Sequence, residues 1–70
     1  MTQSEKRMLE MLKEKKRLTP DTLKDFSQEE FTVASSGLHE KGLAIGIFID
    51  QEKGKCVNIA ITDSGLNYNL

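Results

Sequence analysis

Apolar side chains recur at helical intervals through the first part of the chain and at every second position later, so the pattern predicts helices first and a β-hairpin after them. Thr2 with Glu5 has the spacing of a capping box, and Met8, Leu9, Met11 and Leu12 follow until Leu18-Thr19-Pro20 interrupts the period. This predicts a first helix over residues 4–17, with Met8, Met11 and Leu12 on one arc and Lys6, Glu10, Lys13, Glu14 and Arg17 opposite. Thr19 before Pro20 is a helix entry and predicts a short second helix over 20–25, since proline's missing N–H is one of the donors a first turn leaves free. Ser27 and Glu30 make a second capping box, and Phe31, Ala34, Ser35 and Leu38 share one arc of a third helix over 28–41. Gly42 stands just past its end, where a positive φ closes a helix without steric cost.

From there Leu43, Ile45, Ile47 and Ile49 alternate with Ala44, Gly46 and Phe48, which predicts a strand with the leucine and isoleucines toward the core and Phe48 on the outer face. The segment 50–55 is polar and contains Gly54. Beyond it Val57, Ile59 and Ile61 alternate with Cys56, Asn58, Ala60 and Thr62, completing a hairpin. Thr62-Asp63-Ser64 can cap a last helical turn before Leu66, Tyr68 and Leu70. No repeat or linker composition divides the chain, so one domain over 1–70 is expected.

The expected class is α+β, in the order of a winged helix-turn-helix: three helices, then a β-hairpin wing, then a short C-terminal helical turn. The stretches Ser27-Gln28-Glu29-Glu30-Phe31, Leu38, Lys41-Gly42-Leu43-Ala44-Ile45-Gly46 and Ile61-Thr62-Asp63-Ser64-Gly65-Leu66-Asn67-Tyr68 resemble the small YjcQ-type winged-helix family of bacteria and their phages, over residues 18–69. Gly37 departs from that pattern, standing where a large apolar residue is expected. The resemblance implies a small regulatory or accessory protein of prophage-like setting that binds double-stranded DNA through its third helix and wing. On that arrangement Gln28, Thr32 and Ser36 are the candidate base-edge contacts, with Lys24, Lys53 and Lys55 on phosphate.

Composition narrows the alternatives. A chain of 70 residues, 37% hydrophobic, has a marginal core and no volume for a deep catalytic cleft. One cysteine and one histidine form neither an internal disulfide nor a zinc site. No Gly-rich phosphate loop, Ser/His/Asp order or paired-carboxylate motif occurs, so neither an enzyme nor a cofactor is expected. Cys56 reads as a small packing residue and His39 as a surface or helix-dipole partner. No secretory or membrane-spanning run is present, which points to the cytoplasm and to no membrane partner.

Charge competes with the DNA reading. The formal net charge is -1 and the isoelectric point about 5.7. Residues 1–17 carry six cations against three carboxylates, whereas residues 18–70, which hold the reading elements, carry four against eight. The basic run Lys13–Arg17 is explained locally by the helix dipole and by spacing that pairs Glu10 and Glu14 with Lys13 and Arg17. Helix three sets Glu29 and Glu40 beside Thr32, Val33 and Ser36, and a duplex contact needs basic neighbours to offset phosphate repulsion. The rival expectation is a protein-interaction module that kept the fold and contacts its partner through Glu29, Val33 and Glu40. Leu66, Tyr68 and Leu70 are then either core or, against a second copy, the seam of a homodimer.

Overall fold

A computed structural model describes residues 1–49 and 54–70 of the chain. Thr2 opens α1 (Gln3–Lys15) with both halves of the capping box in place: its hydroxyl accepts the Glu5 N–H at 3.1 Å and the Glu5 carboxylate accepts the Thr2 N–H at 3.1 Å. The helix stops two residues before the predicted end because Lys16 turns left-handed (φ 73°), and Arg17–Leu18 leaves as a short strand, β1. Ser27 opens α2 (Gln28–Glu40) with the second capping box, and Gly42 (φ 74°) turns the chain into β2 (Ala44–Phe48). A strand β3 (Cys56–Ile61) returns antiparallel, and Thr62 caps a five-residue α3 (Asp63–Asn67). The described residues thus form an α+β arrangement of three helices and an antiparallel sheet in the order β1-β3-β2.

The predicted second helix does not form. Residues 20–25 make two successive turns, closed by Thr22 N–H to the Thr19 carbonyl (3.0 Å) and Phe26 N–H to the Leu23 carbonyl (3.1 Å). Thr22 decides this locally: its hydroxyl donates to the Thr19 carbonyl and accepts the Thr19 N–H, both at 2.8 Å, which offers the backbone an alternative to a helix. Only six residues would gain helical bonds there, too few to repay nucleation. Leu23 is nonetheless buried, so the turns still deliver one side chain to the core.

That core gathers Met8, Leu9 and Leu12 of α1, Phe31, Ala34 and Leu38 of α2, Leu18 of β1, and Cys56 and Ile59 of β3. The arc predicted for the third helix is buried in full, Ser35 included, whose hydroxyl meets the Met8 sulfur at 3.5 Å. Leu43 is buried as expected, but from Ala44 on the predicted orientation of the first hairpin strand is reversed. Ala44 is buried, and Gly46 and the half-buried Phe48 share its face, while Ile45, Ile47 and Ile49 are 58, 56 and 65% exposed. Both faces of this strand are apolar, so alternation fixes two faces without saying which is inner. Space decides it, because the Phe48 ring packs against the core and fills the room under the middle of β2. A Cβ on Gly46 would already stand 2.8 Å from the Phe48 ring.

In β3 the alternation breaks at a bulge. Ile47 faces Asn58 and Phe48 faces Cys56, leaving Val57 as an extra residue, and this lets Cys56 and Ile59 both point inward. Cys56 is thus a buried packing residue.

Gly37 has a specific cause. A Cβ there would lie 1.7 Å from Glu5 Oε2, so the glycine opens the α1–α2 interface to a carboxylate that is almost wholly buried. Glu5 accepts the Thr2 N–H and pairs with Lys41 at 3.3 Å across that gap. Gly37→Ala alone should therefore show none of the roughly 1 kcal/mol gain expected of glycine-to-alanine in a helix. In a Glu5→Ala background the same change should recover about that gain, as read by a urea-unfolding double-mutant cycle. Additive effects in that cycle would remove Glu5 as the reason for the glycine.

Candidate nucleic-acid interface

Gln28 and Thr32 lie one turn apart on α2, and both are directed at the start of β3. Gln28 Nε2 donates to the Cys56 carbonyl at 2.9 Å, while Thr32 Oγ1 accepts the Cys56 N–H at 3.1 Å and itself donates to the Gln28 carbonyl at 2.8 Å. Gln28 Nε2 also reaches Thr32 Oγ1 at 3.2 Å. One buried residue thus has both backbone groups held by side chains of α2, next to the bulge where the β2–β3 ladder is irregular. The two foremost base-edge candidates form a clasp between helix and hairpin.

The remaining candidates are scattered around that clasp. Ser36 is exposed on α2, and Lys24 is exposed on the turn after Leu23. Lys55 is exposed at the hairpin, where its carbonyl accepts the Ile49 N–H at 3.0 Å. Lys53, with Asp50 and Glu52 of the same loop, lies outside the described residues. A groove of about 390 Å³ between α2 and the hairpin is lined by Gln28, Glu29, Thr32, Val33, Gly54 and Lys55, so it collects members of both candidate sets. Among its described residues Lys55 is the one cation, and Glu29 offsets it. Val33 is 65% exposed, and with the exposed Glu29 and Glu40 it forms the face opposite the core arc.

Three cations of α1 and its C-cap have partners of their own. Arg7 pairs with Asp25, Lys13 Nζ donates to the Tyr68 carbonyl, and Lys16 Nζ donates to the Lys13 carbonyl at 2.9 Å. The predicted Glu10–Lys13 and Glu14–Arg17 pairs are absent among the described residues: Lys13 is turned to Tyr68, and Arg17 has left the helix for β1. His39 makes a contact its sequence position does not suggest. Its Nδ1 accepts the Gly46 N–H at 3.1 Å, and its ring meets Phe48 edge-on at 6.0 Å, so it caps the free edge of β2. That arrangement places the ring proton on Nε2.

Sequence reasoning also missed what the Thr62-x-x-Gly65 element does. The Thr62 hydroxyl accepts the Gly65 N–H at 3.2 Å and donates to the Gly42 carbonyl at 2.7 Å, while the Thr62 N–H donates to the Leu43 carbonyl at 3.1 Å. The element locks α3 under the α2–β2 turn. Leu66, Tyr68 and Leu70 remain partly exposed, outside the core.

No cluster of three metal-ligating side chains occurs among the described residues, and no described helix is long and apolar enough to cross a membrane. No family model, curated protein or solved structure matches the chain.

Proposed function

We propose that the chain is a winged-helix module of the YjcQ type, regulatory or accessory in role, that binds another protein in preference to a DNA duplex. α2 then takes the position of a reading helix and the β2–β3 hairpin that of the wing, with the usual second helix reduced to two turns. The order of these elements and the motif residues from Ser27 to Tyr68 support the fold assignment.

The observation that carries the functional choice is the clasp. Gln28 Nε2 and Thr32 Oγ1 are turned to the Cys56 backbone, which takes them out of the bidentate pairing that reading a base edge requires. The face left free on α2 presents Glu29, Val33 and Glu40, which repels phosphate and suits a partner with apolar and basic groups.

The test is fluorescence anisotropy of a labelled mixed-sequence duplex at low salt. The expected result is no saturable binding across the roughly 1–100 µM range in which non-specific duplex complexes form. Saturable binding that weakens as salt rises, and weakens again in Lys24→Ala and Lys55→Ala, would return the function to DNA.

A further inference from the structure

The three strands carry a single charged residue, Arg17, and no carboxylate. Their register puts Arg17, Ala60 and Ile45 in one row across the sheet and Asn58 and Ile47 in the next. Residues paired in this way point their side chains to the same face. The outer face is therefore a stripe of exposed isoleucines, Ile45 and Ile47 of β2 and Ile49 just past its end, with one exposed cation two strands away on β1.

An occupant of this face has to satisfy both features. Strand addition at β2 is obstructed, because the Gly46 N–H on its free edge is taken by His39. A helix fits the dimensions. Isoleucines two residues apart on a strand are separated by about 6.8 Å, and helix positions four apart by about 6.0 Å. Two strand spacings make about 9.6 Å, of which a helix centred over β2 covers roughly 5–6 Å, half its diameter with side chains, and the long Arg17 side chain with an acidic partner spans the rest. A helix laid along β2 with its apolar face down thus brings one flank to Arg17, where an acidic side chain is complementary. The chain's own helices match poorly: the exposed face of α2 offers Val33 as its one strongly exposed apolar residue, that of α1 is predominantly basic, and α3, which carries Leu66, is only five residues long.

We propose that the outer face of the sheet, formed by Ile45, Ile47 and Ile49 with Arg17, binds an amphipathic helix of a partner protein whose flank is acidic. This rests on the protein-binding reading above but uses a different surface from the α2 face. The probes are two synthetic helical peptides with the same leucine stripe at i, i+4 and i+8, one flanked by glutamates and the other by lysines. Each is titrated into the isotopically labelled full chain and followed by amide shifts.

The glutamate-flanked peptide should shift residues 17, 45, 47, 49 and 60 and bind at least fivefold more tightly than the lysine-flanked one. Arg17→Glu should reverse that preference. Ile47→Asp should abolish both complexes while leaving the amide spectrum that of a folded chain. Equal binding of both peptides, or no shifts on these residues, overturns the proposal. Shifts confined to Glu29, Val33 and Glu40 overturn it too, but leave the protein-binding reading standing. Concentration-dependent sedimentation of the free chain that Ile47→Asp abolishes would assign the face to a second copy and also overturn it. Duplex binding in the anisotropy experiment is a separate failure, that of the protein-binding reading itself.

Discussion

Gly65→Ala should be among the most damaging single substitutions in this chain. The added Cβ would stand 2.1 Å from the Leu43 carbonyl oxygen, 3.1 Å from its carbon and 2.7 Å from Ile61 Cγ1. Two of those atoms are backbone of the turn leading into β2, so no side chain can rotate away to make room. α3 has to lift, and lifting it separates the Thr62 hydroxyl from the Gly42 carbonyl and loosens the cap on the Gly65 N–H. Overpacking of about 1–3 kcal/mol together with a lost cap of about 1 kcal/mol gives an expected loss of about 2–4 kcal/mol. A domain of this size has roughly 4–10 kcal/mol in all, so the variant should be partly unfolded at modest urea concentrations. Gly42→Ala is the control: nothing lies within 4 Å of its Cβ, and only the positive φ is penalised, at about 1 kcal/mol. If urea unfolding gave the two variants the same small loss, the docking of α3 would have no weight in stability.

The second large effect concerns which face of the sheet is inner. Ile59 is fully buried among Met8, Leu9, Leu12 and Phe31 in the core cluster, and Ile47, near it in the sheet, is more than half exposed. Ile59→Ala should cost about 2–5 kcal/mol, the range for buried large-to-small changes. Ile47→Ala removes the same atoms from a surface position and should cost about 1 kcal/mol or less, mostly strand propensity. Alternation alone assigns both isoleucines to the core and predicts similar losses. Similar losses in chemical denaturation would restore that reading and remove the exposed isoleucine stripe on which the partner helix depends.

Local signals in the sequence were followed closely by the structure. Both capping boxes form, Gly42 takes its positive φ, and the α2 core arc is buried as spaced. These features are decided by residues within a turn of one another. Apart from the unformed helix over 20–25, which Thr22 decides locally, what escaped the sequence depends on distant partners. β1 exists because Arg17 and Leu18 pair with Ala60 and Ile59, which no local pattern records in a two-residue strand. The reason for Gly37 is a carboxylate 32 positions earlier. The β2 face was ambiguous because Ala44, Gly46 and Phe48 are as compatible with a core as the isoleucines, and the matter is settled by packing beyond the strand, with Phe48 laid against the core beneath Gly46.

The candidate site divides along the same line. Exposure of Val33, Glu29 and Glu40 follows from helical projection and was legible. The engagement of Gln28 and Thr32 was not, since Cys56 lies 28 and 24 residues away and a polar helix residue beside an acidic one reads equally well as solvated surface. The one available hint is Thr32 in a helix interior, a position where a hydroxyl often turns back to bond the preceding turn.

The choice of a protein partner over a duplex turns on that clasp, and stability measures it directly. In the double variant Gln28→Ala/Thr32→Val the N–H and carbonyl of the buried Cys56 lose both of their side-chain partners. An unsatisfied buried polar group costs about 1–3 kcal/mol, so urea unfolding should show a loss of about 2–4 kcal/mol for the pair, with Ser36→Ala, exposed on the same helix, unchanged. An unfolding midpoint equal to that of the parent chain would contradict the account, because it would mean that Gln28 and Thr32 are free to read a duplex.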